Sequence, residues 1–473
     1  MAQSASESGN PSMSRLEGGG APEIGSDGPD IAAGRLPAAA YAANFADVKP
    51  VLNRREALVE ASRCHFCYDA PCVTACPTSI DIPRFIRGIA TDNVRGAAMT
   101  ILEANIMGAA CARVCPTEVL CEEVCVREAQ EGKPVRIGAL QRYATDDLLA
   151  RGEQPFTRAA ATGKKIAVVG AGPAGLACAH ALARKGHDVT VFEAREKAGG
   201  LNEYGIAAYK MPGGIAQAEV DFILGVGGIE LRCGQALGRD ITLAALRKDY
   251  DAVFVGTGQA GVNALRLEGE EMPGVLDAVD YIAELRQAPD LSALAVGRRV
   301  AVIGGGNTAV DIAVQCRRLG AEEVTMLYRR GPEQMSATWK EREFAQVNGV
   351  KIRFFAAPVR LLAADGRLAG VECAVTQLGA DGRLEQTARR FTVEADMLFK
   401  AIGQSFVADP VNDGATEALE IAGGRIAVNE ERRTTLPDVW AGGDCIAGED
   451  LTVAAVEDGK VAAASIHAAL TAG

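Results

Sequence analysis

Apolar residues follow two different patterns along this chain of 473 residues. Between residues 45 and 160 the pattern is helical and irregular, with short helices expected over 54–63, 82–89 and 97–103 and no alternating strand pattern. After Thr162, short buried strands alternate with helical segments, as is typical of α/β domains. The pattern therefore predicts a small helical domain followed by α/β units.

The first α/β unit carries a dinucleotide-binding fingerprint. A buried strand leads into a glycine-rich turn and a helix, and the next strand ends in an acid; the residues are Gly170, Gly172, Gly175 and Glu193. The glycines permit a tight turn, close approach of a pyrophosphate and close helix–strand packing, while the carboxylate can accept hydrogen bonds from ribose hydroxyls. With strand, turn, helix and acid in register, a nucleotide site is predicted.

Several further positions assign this site to FAD. Flavoproteins bring backbone close to the pyrophosphate just after the second strand, and an acid after a later Gly-Gly can bind a ribityl hydroxyl. A helix N-terminus can face the electron-rich edge of the flavin. The candidate residues are Gly200, Leu201, Gly258, Gly443, Asp444, Thr452 and Val453.

A second fingerprint follows near residue 300 and predicts a nicotinamide-nucleotide site. Its turn and helix start contain Gly304, Gly306, Asn307 and Thr308, with Ala309 in the place of the third glycine. The next strand ends in Arg329 and Arg330 instead of an acid. Arginines would bind a ribose 2′-phosphate and so favour NADP, although a solvated loop end is the alternative.

The expected organisation is a nicotinamide domain inserted into a flavin domain, behind a helical domain. The predicted boundaries are a disordered tail at 1–44, the helical domain at 45–160, FAD-binding parts at 161–290 and 395–473, and the NAD(P)-binding insertion at 291–394. The fold class is thus α/β, with a small helical domain followed by two nested Rossmann-like domains.

Composition excludes some functions. The net charge of −12 disfavours nucleic acid and anionic membranes as partners, and no apolar run reaches 18 residues. The first 44 residues lack the basic start and apolar core of an export signal. Unpaired thiols without a targeting segment predict a cytoplasmic protein.

Eight of the thirteen cysteines lie between Cys64 and Cys125, in two groups of four that each contain a Cys-Pro pair. Short spacings closed by Cys-Pro are typical of bacterial ferredoxin-type iron–sulfur ligation. A disulfide framework belongs to secreted domains, and structural zinc usually pairs two Cys-x2-Cys knuckles, of which only one occurs here. Two clusters are therefore predicted. Since no cysteine follows Gly200 closely, electrons cannot leave the flavin through a local disulfide and must go to the clusters.

Three runs resemble the amino-terminal part of dihydropyrimidine dehydrogenase: RCHFCYDAPCVTACPTSIDIPRFI, CARVCPTEVLCEEVC and IGALQRYATD. The resemblance covers about residues 50–473 and is to the flavin-bearing, PreT-type subunit of the bacterial two-subunit form. It implies that the two clusters are [4Fe–4S] and exchange ligands between the cysteine groups. The implied sets are Cys64, Cys67, Cys72 and Cys125 for one cluster, and Cys76, Cys115, Cys121 and the amide oxygen of Gln141 for the other. Cys111 is then a buried thiol.

The resemblance further implies an electron-input subunit with no protein acid or base obligatory for hydride transfer. It would accept hydride from NAD(P)H on FAD and pass single electrons to a PreA-type partner, in an expected heterotetramer. That partner would carry FMN, further clusters and the site where uracil or thymine is reduced, because the chain ends at Gly473 just after the flavin domain.

Some alternatives stay open. The coenzyme is NAD by family, whereas Arg329 and Arg330 favour NADP. A glutamate synthase small subunit or an NADPH–ferredoxin oxidoreductase-like protein shares the plan but would supply a different partner. A scaffold that has kept cofactor folds without turnover is the alternative of another class.

Overall fold

The computed structural model describes residues 30–379, 382–412 and 417–472. Over these residues, a helical domain precedes two α/β domains, one of which is inserted into the other. The predicted fold class is confirmed.

The helical domain is built from short helices separated by the loops that carry the cysteines. A two-residue strand, β1 (Ile31–Ala32), comes first. The helices that follow are α1 (Ala38–Asn44), α2 (Arg54–Ser62), α3 (Pro71–Thr74), α4 (Ile82–Ala90), α5 (Val94–Ala104), α6 (Gly108–Val114), a 3-10 helix (Thr117–Val119), α7 (Val126–Glu131) and α8 (Ile137–Ala150). Several of these helices have a polar N-cap residue. Asn53 and Glu56 form a capping box at α2, and Asn93 accepts from the backbone of Gly96 at α5. Helix starts are therefore set locally.

Residues 30–44 are ordered, so the prediction of a disordered tail over residues 1–44 is wrong for this part. β1 pairs antiparallel with Val296–Gly297, and Tyr41 is buried in the core of the inserted domain. Asn44 and Arg318 exchange side-chain to backbone hydrogen bonds of 2.8 and 2.6 Å. This segment is ordered because its few apolar residues pack on a distant domain, a contact that local pattern cannot indicate. The rest of the predicted tail, 1–29, lies outside the described residues.

The first part of the flavin domain follows. Its elements are β2 (Lys165–Val169), α9 (Pro173–Arg184), β3 (Asp188–Glu193), α10 (Leu201–Tyr204), α11 (Ile215–Leu224), β4 (Ile229–Cys233), α12 (Leu243–Asp249), β5 (Ala252–Val255) and β6 (Gly261–Val262).

The inserted domain comes next along the chain. Its elements are β7 (Val275–Asp277), α13 (Ala278–Gln287), a 3-10 helix (Leu291–Ala293), β8 (Val296–Gly297), β9 (Arg299–Ile303), α14 (Asn307–Leu319), β10 (Glu323–Leu327), a 3-10 helix (Pro332–Gln334), α15 (Trp339–Val347), β11 (Val350–Arg353), β12 (Ala356–Ala364), β13 (Arg367–Leu378), β14 (Leu384–Glu394), β15 (Met397–Lys400) and β16 (Gln404–Ser405).

The chain then returns to the flavin domain. The remaining elements are α16 (Asp409–Asn412), β17 (Ile421–Ala422), β18 (Arg425–Ile426), β19 (Val439–Ala441) and α17 (Thr452–Thr471).

Each nucleotide domain is organised around a five-stranded parallel sheet. The flavin sheet has the order β19-β5-β2-β3-β4, and the inserted sheet has the order β11-β10-β9-β15-β7. An antiparallel sheet, β12-β13-β14, completes the insertion, and the β6–β16 ribbon joins the two domains.

The predicted insertion boundaries, 291 and 394, are too narrow. β7 lies before that range and β15 after it, yet both are strands of the inserted sheet, where Met397–Lys400 pairs with Val300–Ile303. Both strands are short and find their partners far along the chain, so the sequence did not show to which sheet they belong.

Helix α17 positions the carboxyl-terminal half of the flavin site. It packs so closely along α9 that a Cβ at Gly459 would lie 2.2 Å from the carbonyl oxygen of Ala174. This contact brings the start of α17 beside the first glycine-rich turn. One hydrophobic cluster continues from there into the helical domain, through residues such as Val453 and Met107. The flavin and helical domains therefore share a core.

Candidate cluster and dinucleotide sites

The first cysteine cavity lies at the ends of α2, α3 and α7. It is lined by Cys64, Cys67, Cys72 and Cys125, together with apolar side chains such as Ile86. Cys64 follows α2, Cys72 lies in α3, and Cys125 is the residue before α7. Three of these cysteines come from the first group in the sequence and one from the second.

The second cavity contains the remaining candidate ligands. It is lined by Cys76, Cys111, Cys115, Cys121 and Gln141, with Asn105, Thr117 and Val453 among the other lining residues. Cys76 has crossed from the first group, as Cys125 has crossed in the opposite direction. The structure therefore brings together the two sets that the resemblance implies, and adds Cys111 to the wall of the second cavity.

Gln141 is one of the residues that line the second cavity. The side chain is 7% exposed, and its Nε2 donates to the carbonyl oxygen of Gly108 at 2.8 Å. No described group donates a hydrogen bond to its Oε1. Because the nitrogen is occupied, the oxygen is the atom of this side chain that could bind a metal.

Several thiols that line the two cavities have raised pKa values. Burial raises the pKa of Cys72 to about 12 and that of Cys121 well above its usual value. The pKa of Cys115 is raised first by a hydrogen bond with Cys111 and then by burial. The thiolate is the form that binds metal, so the positive charge of a bound metal would be needed to stabilise these thiols as thiolates.

The cysteines surround cavities and do not converge on a point. Within 30–379, 382–412 and 417–472, no three His, Cys, Asp or Glu side chains are grouped so as to hold a single metal ion. All thirteen cysteines are free thiols, and none of them follows Gly200 closely.

The first glycine-rich turn has the geometry that the sequence predicts. Gly170 has φ +98°, and a Cβ there would lie 2.3 Å from the carbonyl oxygen of Gly256. A Cβ at Gly175 would lie 1.9 Å from the oxygen of Gly170, so α9 packs directly on the turn. Glu193 is buried at the end of β3, where its carboxylate accepts from the backbone of Ala171 at 2.8 Å. Turn, helix and acid therefore meet at one point.

The other predicted flavin residues surround this turn. Gly200, with φ +55°, packs on Gly172 so closely that a Cβ would lie 2.7 Å from its Cα. Leu201 begins α10 and is exposed, whereas Gly258 has φ +66° in the loop after β5. Gly200 and Gly258 therefore leave backbone without side chains in this region.

The residues predicted for the FAD site near the carboxyl terminus lie close to α9 and α10. Gly443 has φ +74°, and a Cβ there would lie 3.0 Å from the Cβ of Ala174 in α9. Burial, with repulsion from Asp450, raises the pKa of Asp444 to about 6. Thr452 begins α17 and donates to Asn202 at 3.0 Å.

The buried Asn202 is a residue that the sequence analysis missed. Its side chain donates weakly to the sulfur of Met107 at 3.8 Å, and thus links the flavin site to the helical domain.

The second turn repeats the arrangement of the first. Gly304 has φ +148°, and a Cβ would lie 2.1 Å from the oxygen of Ala401. Gly306 precedes α14, which begins with Asn307 and Thr308.

Arg329 and Arg330 follow β10 as exposed residues. The hydrogen bonds described for them involve only the backbone. The hydroxyl of Thr376 donates to the carbonyl oxygen of Arg329, and the backbone N–H of Phe355 donates to that of Arg330. No described residue forms an ion pair with either guanidinium, so both are available to an anion.

A buried ion-pair cluster joins the flavin domain to the inserted domain. Lys210 contacts Asp311 of α14 at 2.7 Å and Glu341 of α15 at 2.8 Å. Burial alone would lower the pKa of Lys210, but the two carboxylates raise it. Asp311 also accepts from the backbone of Ala207 at 3.2 Å. Asp311 therefore connects domains, a function that its position near the second turn did not indicate.

Among the described helices, none has the length and apolar character needed to cross a membrane.

Two family profiles match the chain. One, described as dihydropyrimidine dehydrogenase domain II, 4Fe-4S cluster, matches residues 41–153. The other, described as pyridine nucleotide-disulphide oxidoreductase, matches residues 164–459. The division between them falls where the helical domain ends.

Curated relatives cover most of the chain. The NAD-dependent dihydropyrimidine dehydrogenase subunit PreT of Salmonella typhimurium is 36% identical over 412 residues, covering 87% of this chain and 94% of that protein. PreT of Escherichia coli K12 is 35% identical over 426 residues, covering 90% and 97%. The glutamate synthase [NADPH] small chain of E. coli K12 is 33% identical over 445 residues, covering 89% and 93%.

Solved structures share the fold of the nucleotide domains. Mycobacterium tuberculosis FprA in complex with NADPH gives a TM-score of 0.54 at 20% identity, covering 65% of this chain and 84% of that one.

Proposed function

We propose that this chain, which belongs to the family of dihydropyrimidine dehydrogenase subunits of the PreT type, is the electron-input subunit of such an enzyme. It takes hydride from NAD(P)H on FAD and passes single electrons through two [4Fe–4S] clusters. The recipient is an FMN-containing PreA-type partner, assembled with it as a heterotetramer, which reduces uracil or thymine to the 5,6-dihydropyrimidine. When bound, FAD converts a two-electron donor into a supply of single electrons, and the clusters carry those electrons.

The observation that carries this proposal is the sequence of sites from the flavin turn to the two cysteine cavities. Val453, in the first turn of α17 at the flavin site, also lines the second cavity. Ile82 lines both cavities. The second cavity is therefore adjacent to the flavin site and the first lies beyond it, which orders the path as flavin, second cavity, first cavity and partner.

The proposed cluster ligands follow the two cavities. Cys64, Cys67, Cys72 and Cys125 hold the outer cluster, and Cys76, Cys115, Cys121 and Gln141 hold the inner one. The occupied Nε2 of Gln141 supports its oxygen as the eighth ligand, since that oxygen has no competing donor among the described residues. Cys111 is assigned to packing. This follows the family resemblance, which leaves Cys111 out of both ligand sets, and Cys111 is buried in the wall of the second cavity.

The residues proposed for the FAD site bind the cofactor and orient it. Gly170, Gly172, Gly175, Gly200 and Leu201 present backbone to the pyrophosphate, with Gly258 in the adjoining loop. Glu193 accepts from ribose hydroxyls, and Asp444 with Gly443 binds the ribityl chain. The backbone at Thr452 and Val453 faces the ring. These assignments are supported by the close backbone packing at Gly170, Gly172 and Gly200.

For the nicotinamide nucleotide, Gly304, Gly306, Asn307 and Thr308 form the pyrophosphate site. We propose NADH as the preferred donor, as in the relatives named NAD-dependent. The exposed Arg329 and Arg330 allow secondary use of NADPH. Measuring kcat/KM for both coenzymes tests this, and a preference for NADPH well above tenfold would overturn it.

The function is tested by identifying the chain that co-purifies with this one and assaying uracil-dependent oxidation of NADH. We expect an FMN protein and turnover that requires both chains. The alternative is a glutamate synthase small subunit, since one such protein is 33% identical. A co-purifying chain with a glutaminase domain, and NADPH oxidation that depends on 2-oxoglutarate and glutamine, would establish that alternative.

A further inference from the structure

One buried hydrogen-bond donor at the second cavity has no partner. Asn105 follows α5, is fully buried and lines this cavity. Its Oδ1 accepts from the backbone N–H of Met107 at 3.0 Å, whereas its Nδ2 has no hydrogen-bond partner. Because a backbone N–H can only donate, the atom facing Met107 must be the oxygen, and the orientation of the amide is fixed. The unpartnered atom is therefore an NH2 group.

Two other side chains of this cavity have hydrogen-bond partners within the protein. Gln141 donates through Nε2 to Gly108. The thiol of Cys76 lies 3.4 Å from the hydroxyl of Thr78. Among the described residues lining the cavity, Asn105 thus offers an NH2 that no protein group accepts. A fully buried amide NH2 is costly to leave unpaired, so it indicates an acceptor in the cavity that is not part of the protein.

We propose that Asn105 donates a hydrogen bond from Nδ2 to a sulfur of the cluster in the second cavity and thereby raises that cluster's reduction potential. This inference rests on the proposed cluster there. Sulfides and thiolates are anionic acceptors whose charge grows when the cluster gains an electron, so a donated hydrogen bond stabilises the reduced form more than the oxidised one. Asn105 contacts the cluster directly in this proposal but does not ligate iron. It makes the cluster next to the flavin easier to reduce than it would be without this hydrogen bond.

The contact is tested without substitution on the holoprotein labelled with 15N only in asparagine. After chemical reduction, pulsed EPR should show weak nitrogen coupling from asparagine on one of the two cluster signals. Iron analysis is done on the same sample. Eight irons with no asparagine coupling on either signal would overturn this inference alone. Fewer than eight irons would remove the proposed clusters and this inference together.

The effect on potential is tested with Asn105→Asp and Asn105→Leu in redox titrations followed by EPR. Asp keeps the acceptor for Met107 but replaces the donor, and Leu removes the donor without adding charge. We expect both to lower one cluster midpoint by at least 59 mV, a tenfold change for a one-electron couple, and to leave the other unchanged. Asn93→Asp, the same substitution at the exposed start of the same helix, should move neither midpoint. A midpoint that falls in Asn105→Asp but not in Asn105→Leu would show an effect of charge alone and overturn the proposal.

Discussion

Replacing Gln141 by glutamate tests the least expected ligand, because it exchanges the amide NH2 for oxygen and adds one negative charge. The carboxylate has the length of the native side chain, so an oxygen still reaches the second cavity. The hydrogen bond from Nε2 to the oxygen of Gly108, 2.8 Å long, is lost. The main expected effect is electrostatic: a cluster with an anionic fourth ligand accepts an electron less readily than one with a neutral amide.

The size of the effect follows from burial. Gln141 is 7% exposed, so solvent screens little of the added charge. At about 4 Å and an effective dielectric of about 20, two unit charges interact by about 4 kcal/mol. Since about 1.4 kcal/mol is a tenfold change, and a tenfold change for a one-electron couple is 59 mV, the inner cluster's midpoint should fall by about 170 mV.

The assay is an anaerobic redox titration of the holoprotein, followed by EPR. Gln377→Glu, at an exposed position of β13, makes the same charge change in the inserted domain and should leave both midpoints in place. If Gln141→Glu retains eight irons and shifts neither midpoint by more than a few tens of millivolts, the side chain is not next to a cluster and the ligand assignment is wrong.

Three other changes test different parts of the account. Cys111→Ala should keep eight irons per chain by iron analysis; the loss of about four would make Cys111 a ligand. The pair Arg329→Ala and Arg330→Ala should lower kcat/KM for NADPH and leave that for NADH unchanged, whereas equal losses would show a role unrelated to the 2′-phosphate. Lys210→Met leaves Asp311 as an uncompensated buried charge, so we expect a loss of about 3–5 kcal/mol of local stability, seen as faster hydrogen exchange in α14. Lys210→Arg is its control, and unchanged exchange in the Met variant would show that the ion pairs do not hold the domains together.

The two nucleotide domains could be predicted because their signals are local. Gly170 and Gly304 have positive φ at turns where a Cβ would strike a carbonyl oxygen less than 2.5 Å away. Such a turn requires glycine, and the strand before it and the helix after it are adjacent in sequence. The fold class and the enzyme class could therefore be predicted from the sequence.

Long-range contacts were not visible in this way. The pairing of β1 with β8 joins residues more than 250 positions apart, and β7 and β15 are each three or four residues long. Strands this short have no periodicity to detect, so the tail and the insertion boundaries were misplaced. Asn202 and Lys210 likewise act between domains, where sequence spacing carries no information.

The cysteine sites could be predicted only in part from the sequence. Spacing alone indicated two clusters but divided the ligands into consecutive groups. The exchange of Cys76 and Cys125 came from family resemblance, and the cavities contain the same exchanged sets. Asn105 gave one faint signal, a polar residue in an otherwise apolar stretch, and only its missing partner distinguishes it from a helix cap.

The central claim is that electrons leave the flavin through the clusters to a partner chain. The most direct test compares the native two-subunit complex with a Cys72→Ala complex, which removes a ligand of the outer cluster. The rate of flavin bleaching by NADH in a single turnover and the rate of uracil-dependent NADH oxidation are measured on the same samples. We predict that bleaching keeps its rate while uracil-dependent oxidation is lost. Uracil-dependent oxidation at the native rate in a complex shown to lack the outer cluster would contradict the account.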